Sequence, residues 1–190
     1  MSRADIRKTA RVARDGLSPQ QRCEANEKIA RLLLKTNPIL KAATIGLYAS
    51  YGGEVDSRSI LQSLLQNQKQ VFLPKVVERV GALHMTFYPV TDIHELLPGF
   101  KGILEPPESP LISPQPDVLI VPGLAFSAGG ARLGYGAGTY DRYLEHRIPR
   151  PLLVALSFEC QIVDSIPTLP HDIPMDMIVT EKRVIVCTAS

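Results

Sequence analysis

Residues 117–144 read DVLIVPGLAFSAGGARLGYGAGTYDRYL. DVLIVPG (117–123) is an unbroken apolar, β-branched run of strand length, closed by Pro-Gly. It predicts a strand buried on both faces, as parallel sheets require. About ten residues on, Gly134, Gly136 and Gly138 alternate with other residues, and TYDRYLEHR begins a helix. In an open α/β sheet, ligands sit beyond the carboxyl ends of strands, so this loop is where a site belongs.

The flanking sequence repeats the alternation of strand and helix. In SRADIRKTARVARDGL, Ile6, Ala10, Ala13 and Leu17 form an apolar stripe at helical spacing. Arg3, Arg7, Arg11 and Arg14 form a basic stripe beside it. Ser18, Pro19 and Gln21 make a capping box that opens a second helix, predicted to run to about Thr36 and to end at Asn37-Pro38. The chain then predicts a strand at 43–50, a helix at 57–66, strands at 70–76 and 82–89, and a short helix capped by Asp92. An ordered Pro-rich surface loop follows over 101–116, with a strand at 152–158 and a hairpin at 176–187. The expected fold is α/β: one domain over 1–190, with an open, mostly parallel sheet flanked by helices on both faces, Rossmann-like and three-layered.

Composition narrows the function. The chain has 190 residues, 45% hydrophobic and 21% charged, the values of a globular domain. A net charge of +2 is too mild for nucleic acid as the main partner, yet it permits a local basic site for a small polyanion. Cys23, Cys160 and Cys187 are odd in number and lack CxxC spacing, which argues against a zinc site or disulfide framework and for a reducing compartment. With no apolar run of membrane-spanning length and no signal peptide, the expected location is the cytoplasm and no membrane partner is expected.

The glycine loop has two readings, a turn that needs positive φ angles or a cradle for phosphates. Its spacing is neither the dinucleotide fingerprint nor a Walker loop. Asp141, in the first turn of the next helix, is either a dipole partner or a magnesium ligand beside a phosphate chain. Asp176, opening DMIV, is either a capped turn or a second metal carboxylate. The Arg stripe is either a solvated face or a pair of guanidinium clamps, Arg3 and Arg7, one turn apart. Glu54, in a Gly52-Gly53 turn beyond a strand, is either a surface carboxylate or an acceptor for substrate N–H groups.

Taken together, these pieces resemble the 5-formyltetrahydrofolate cyclo-ligase family. The most specific match is VPGLAFSAGGARLGYGAGTYDRYL (121–144). Support comes from the basic first helix followed by LSPQQR, from EVD at 54–56, LPK at 73–75 and GILEP at 102–106, and from HDIPMDMIVTE near the end. The resemblance implies conversion of 5-formyltetrahydrofolate to 5,10-methenyltetrahydrofolate with ATP and magnesium, by a monomer acting on small molecules. It assigns ATP to Arg3 and Arg7 and to Arg132, Leu133, Gly134, Tyr135, Gly136, Ala137, Gly138, Thr139 and Tyr140. Folate falls to Ala49 and Glu54 with Tyr135, Gly136, Ala137, Gly138 and Thr139, and metal to Asp141 and Asp176. Catalysis is electrostatic, through Arg7 and Arg132, with no covalent nucleophile.

The chain departs from the family at two positions. Lys101 stands where some members carry an aromatic residue, leaving Phe100, Phe87 or Tyr88 for that place, and Arg3 stands where lysine is common. Competing readings are an α/β sugar-phosphate isomerase or acyl-transferase with Glu54 as base, which needs neither the Arg helix nor the paired aspartates. An inactive ATP- or folate-binding module is the other.

Overall fold

Seven strands form the central sheet of the computed structural model, which describes residues 1–79, 82–110, 115–145 and 147–187. In chain order the helices are α1 (Arg3–Asp15), α2 (Pro19–Leu33), α3 (Asn37–Lys41), α4 (Arg58–Gln66) and α5 (Thr139–Leu144). The strands are β1 (Thr44–Gly46), β2 (Gln70–Arg79), β3 (Ala82–Val90), β4 (Leu97–Pro98), β5 (Leu104–Glu105), β6 (Val118–Val121), β7 (Ala125–Ser127), β8 (Arg132–Leu133), β9 (Leu152–Leu156), β10 (Ile162–Val163), β11 (Met177–Val179) and β12 (Val184–Val186). The central order is β12-β11-β9-β6-β1-β2-β3. The five inner strands run parallel, and β12 and β3 close the two edges antiparallel.

Strand alternation divides the core into two layers. Ile45, Val118, Ile120, Val154 and Val179 point to one face, where Ile29 and Leu33 of α2, Ile39 of α3 and Ile60 and Leu64 of α4 cover them. Phe72, Leu119, Val121, Leu153, Ala155 and Ile178 point to the other, beneath Leu144, Tyr140 and Tyr143 of α5. The expected three-layer α/β architecture is present.

Several local expectations are corrected. The capping box opens α2 as expected, with Ser18 Oγ accepting from Gln21 N–H at 3.2 Å and Gln21 Oε1 accepting from Ser18 N–H at 2.9 Å. Helix α2 ends ahead of Asn37-Pro38 as expected, at Leu33 rather than about Thr36, and Asn37-Pro38 also starts α3, because proline needs no donor in a first turn. The strand expected over 43–50 spans only Thr44–Gly46, with the Leu47 N–H still donating to the Phe72 carbonyl at 2.9 Å, before the chain turns toward the cleft. The stretch after β6, expected to be loop, contains β7 and β8, which join β10 in a separate three-stranded sheet. Helix α1 lies on that sheet, burying Ile6 and Ala10 against Ala125, Leu133 and Ile166. The Pro-rich stretch holds β5, which pairs with β4, while 111–114 lie outside the described residues, as does His146 of the helix expected beyond Leu144.

Candidate functional site

Strands β1 and β6 end at the floor of a cleft of about 1410 Å³. Its walls are α1, the 48–54 turn, β2 and β3, the glycine loop, the start of α5, and residues 169–173. It holds Arg3, Arg7, Ala49, Glu54, Arg132, Gly134, Tyr135, Gly136, Ala137, Gly138, Thr139, Tyr140 and Asp141. Every one of these was an expected site residue. Leu133, expected with them, is fully buried in the core beneath α1.

The glycines have a conformational reason. Gly136 has φ +106° and Gly138 has φ +62°, and Gly138 is the N-cap of α5. An L side chain rarely adopts these values. Arg7 Nε donates to the carbonyl of Gly134 at 2.9 Å and so fastens α1 to the loop.

Arg132 reaches back from β8 and donates through Nη2 to both oxygens of Asp141, at 2.8 and 2.9 Å. It is buried, with the ring of Tyr140 5.8 Å away. Among the described residues its Nε has no hydrogen-bond partner. An orphaned buried guanidinium donor at a cleft wall is matched by an anionic oxygen.

Arg3 is already engaged. Its guanidinium makes a two-point pair with Asp172 and donates to the carbonyl of Pro167 at 3.0 Å. The hydrogen bonds to Asp172 raise the Arg3 pKa. Burial pushes the Asp172 carboxyl up, but Arg3 and the Leu169 N–H outweigh it and hold it below its ordinary value.

On the opposite wall, Glu54 accepts from the N–H of Tyr51 at 2.9 Å. Burial lifts its pKa above the ordinary carboxylate range. Its neighbours are the Tyr135 hydroxyl and Arg14, whose Nη1 donates to that hydroxyl at 3.2 Å. Arg14 is 6% exposed. The 48–54 turn also borders a second cavity of about 340 Å³, lined in part by Arg22, Asn26, Asp56 and Leu104.

Asp176 does not join Asp141. It precedes β11 at the N-terminal edge of the sheet, whereas the cleft opens where β1 and β6 end. Arg150 donates to both of its oxygens, at 2.7 and 3.0 Å, and the N–H of Leu153 donates at 2.7 Å. The expectation of a metal site shared by Asp141 and Asp176 is therefore corrected: Asp176 fastens β9 to β11, whereas Asp141 lines the cleft together with other carboxylates, Glu54 and Asp172 among them. Among the described residues no three His, Cys, Asp or Glu side chains converge on a metal position. One carboxylate joined by phosphate oxygens is a common magnesium arrangement, so Asp141 fits a metal that arrives with a polyphosphate.

Three participants were missed from sequence. Arg14 was read only as part of a stripe, although its place four residues beyond buried Ala10 puts it on the buried side of α1. Asp172 lies 169 positions from Arg3, a distance that local sequence patterns do not encode. Glu105, in the Pro-rich stretch, is a buried carboxylate accepting from the N–H groups of Val76 and Phe100, both at 3.2 Å. It fixes the segment holding Phe100 and Lys101, both of which line the cleft. Lys101 has φ +56° and lies 5.3 Å from the Phe100 ring.

A family model described as the 5-formyltetrahydrofolate cyclo-ligase family matches residues 1–181. The chain is 32% identical over 180 residues to the 5-formyltetrahydrofolate cyclo-ligase of Escherichia coli (strain K12), covering 92% of this chain and 97% of that protein. It is 31% identical over 210 residues to the mitochondrial 5-formyltetrahydrofolate cyclo-ligase of Arabidopsis thaliana, covering 96% and 75%. The NMR structure of Aquifex aeolicus 5,10-methenyltetrahydrofolate synthetase superposes with a TM-score of 0.85 at 33% identity, covering 98% of this chain and 93% of that one.

Proposed function

The chain belongs to the 5-formyltetrahydrofolate cyclo-ligase family, and from that premise we propose how its cleft divides between two substrates. The enzyme converts 5-formyltetrahydrofolate to 5,10-methenyltetrahydrofolate with ATP. In our reading ATP lies along the wall made by α1, the glycine loop and Arg132, and the folate ring system lies against Ala49 and Glu54. The observation that carries this division is the buried Arg132 Nε without a partner, beside glycines at positive φ. Glu54 lies across the cleft, in surroundings that suit an uncharged ring with N–H donors.

The chemistry we assign needs no side-chain nucleophile. The formyl oxygen attacks the γ-phosphorus, the bond to the β–γ bridging oxygen breaks, and ADP leaves. Nitrogen 10 then attacks the activated formyl carbon, loses its proton, and inorganic phosphate departs with the C–O bond. Arg7 and Arg132 hold phosphate oxygens and neutralise charge as it develops. Asp141 would hold magnesium, which supplies further neutralisation. The tyrosines and glycines fix the two substrates in reacting geometry.

We also read the protein as a cytoplasmic monomer that uses neither nucleic acid nor membrane as a partner. No helix among the described residues is long and apolar enough to cross a membrane.

The test is turnover: with ATP, magnesium and 5-formyltetrahydrofolate, the purified protein develops methenyltetrahydrofolate absorbance. In Asp141→Asn the magnesium concentration giving half-maximal rate rises severalfold. An unchanged magnesium dependence removes Asp141 from the metal's surroundings.

A further inference from the structure

Arg14, in the last turn of α1, is buried where that helix meets the 51–54 turn and the glycine loop. Its Nε donates to Asp15 at 3.1 Å, and its Nη1 donates to the Tyr135 hydroxyl at 3.2 Å. The same hydroxyl faces the Glu54 carboxylate. A phenol has one proton to give and lone pairs with which to accept. With Arg14 donating to the oxygen, the proton is left for the carboxylate. The order Arg14, Tyr135, Glu54 is therefore a directional chain. It runs from α1, through the glycine loop, to the acceptor on the opposite wall.

Both ends of the chain are fixed. Glu54 closes its turn twice: its N–H donates to the Tyr51 carbonyl at 3.3 Å, and its carboxylate accepts from the Tyr51 N–H at 2.9 Å. Gly53 lays this turn directly on two arginines, since a Cβ there would lie 2.8 Å from Arg14 Nε and 2.9 Å from Arg22 Nη1. Arg22 Nη2 also donates to the Arg14 carbonyl at 3.2 Å, so α2 braces the end of α1. The middle member differs. Tyr135 is half exposed and stands between Gly134 and Gly136, so its position follows the conformation of the glycine loop.

We propose that Arg14 is a positioning residue that couples the two substrates: through the Tyr135 hydroxyl it sets the glycine loop and Glu54 against each other, so that whichever substrate binds first orders the chain for the second. This inference rests on the reading that ATP lies on the glycine loop and folate against Glu54. A nucleotide seated on the loop fixes Tyr135 and so orients Glu54. Folate seated on Glu54 fixes Tyr135 and so orders the loop. The ordering is done once, and each substrate raises the affinity of the other by the same factor.

The experiment is calorimetry on the full chain. It measures the Kd of 5-formyltetrahydrofolate with and without the non-hydrolysable β,γ-imido analogue of ATP and magnesium, and the ratio is the coupling factor. In the unaltered protein the factor is about five to ten, the scale of one hydrogen bond. In Arg14→Gln and in Tyr135→Phe it falls to about one, and the double variant loses nothing more. Arg14→Gln still binds each ligand alone. Gly53→Ala, whose new Cβ pushes the Arg14 guanidinium off the turn, gives the same loss while leaving every member of the chain in the sequence. If Arg14→Gln does not fold, Tyr135→Phe removes only a hydroxyl and must show the loss. A factor of about one in the unaltered protein, or a factor kept in Tyr135→Phe, overturns the proposal. Equal weakening of both ligands in Arg14→Gln with the factor kept marks a merely structural role and overturns it too. An analogue that does not bind, or a folate Kd unchanged in Glu54→Gln, overturns the division of the cleft and the proposal with it.

Discussion

Glu54 is costly to the fold where it stands. Its carboxylate is half-buried, and its pKa is raised from the ordinary value of 4.5, chiefly by desolvation. A raised acid pKa means that the folded state binds its proton more tightly than the unfolded chain does. The contribution is fully favourable below pH 4.5 and is lost as pH rises through the folded value. Glu54→Gln removes that dependence. The variant is expected to match the parent in acid and to exceed its stability at neutral pH, while folate KM rises and ATP affinity holds. Denaturant midpoints across pH, with both KM values, check this, and equal loss of both substrates contradicts the assignment. Asp172 has the opposite sign. Its pKa is held below 3.8, so its pairing with Arg3 persists at neutral pH and fails only in stronger acid.

The glycines in the 123–138 stretch do different work on different elements. Gly130, in the turn between β7 and β8, has φ +91°, and a Cβ there would lie 2.6 Å from the Met175 carbonyl oxygen. Its own carbonyl accepts from the Met175 N–H at 2.8 Å, joining the small sheet to the segment before β11. Gly130→Ala is expected to lower stability by roughly 2–3 kcal/mol. A Cβ on Gly136 would meet nothing within 4 Å, so Gly136→Ala strains only the loop. It is expected to raise ATP KM with a smaller change in unfolding midpoint, and a larger stability loss than Gly130→Ala would reverse this division. The contrast shows what the sequence could carry. Long apolar runs such as 117–123 announced their strands, and the order of strand and helix announced the layers. Ladders of two or three residues, as in β7, β8 and β10, have no period to detect. Glu54, Asp141 and the glycine loop were legible as cleft-lining residues because each lies beside a strand or helix end. Asp176 misled because an acid before an apolar run looks the same at either end of a sheet. Arg14 and Asp172 act through partners 121 and 169 positions away, which one sequence does not reveal.

At the scale of the molecule, the cleft gathers elements that touch one another little elsewhere: α1 on its own sheet, the glycine loop, the 169–173 run and the β2–β3 hairpin. A ligand that bridges them should stabilise the whole. At a hundred times its Kd, ATP with magnesium should add about 2.7 kcal/mol and raise the thermal midpoint by roughly 5–10 °C. A scanning melt with and without nucleotide measures this, and an absent shift means that the cleft does not take it. The strand order also has a consequence for synthesis. Strand β1 pairs on one side with β2, Ile45 facing Val71, and on the other with β6, Ile45 facing Val118. The second partner leaves the ribosome 118 − 71 = 47 residues after the first. At 5–20 residues per second, the nascent chain exposes an unpaired apolar edge for about 2–9 s. Slowing translation between these strands should lengthen that interval and increase capture by chaperones.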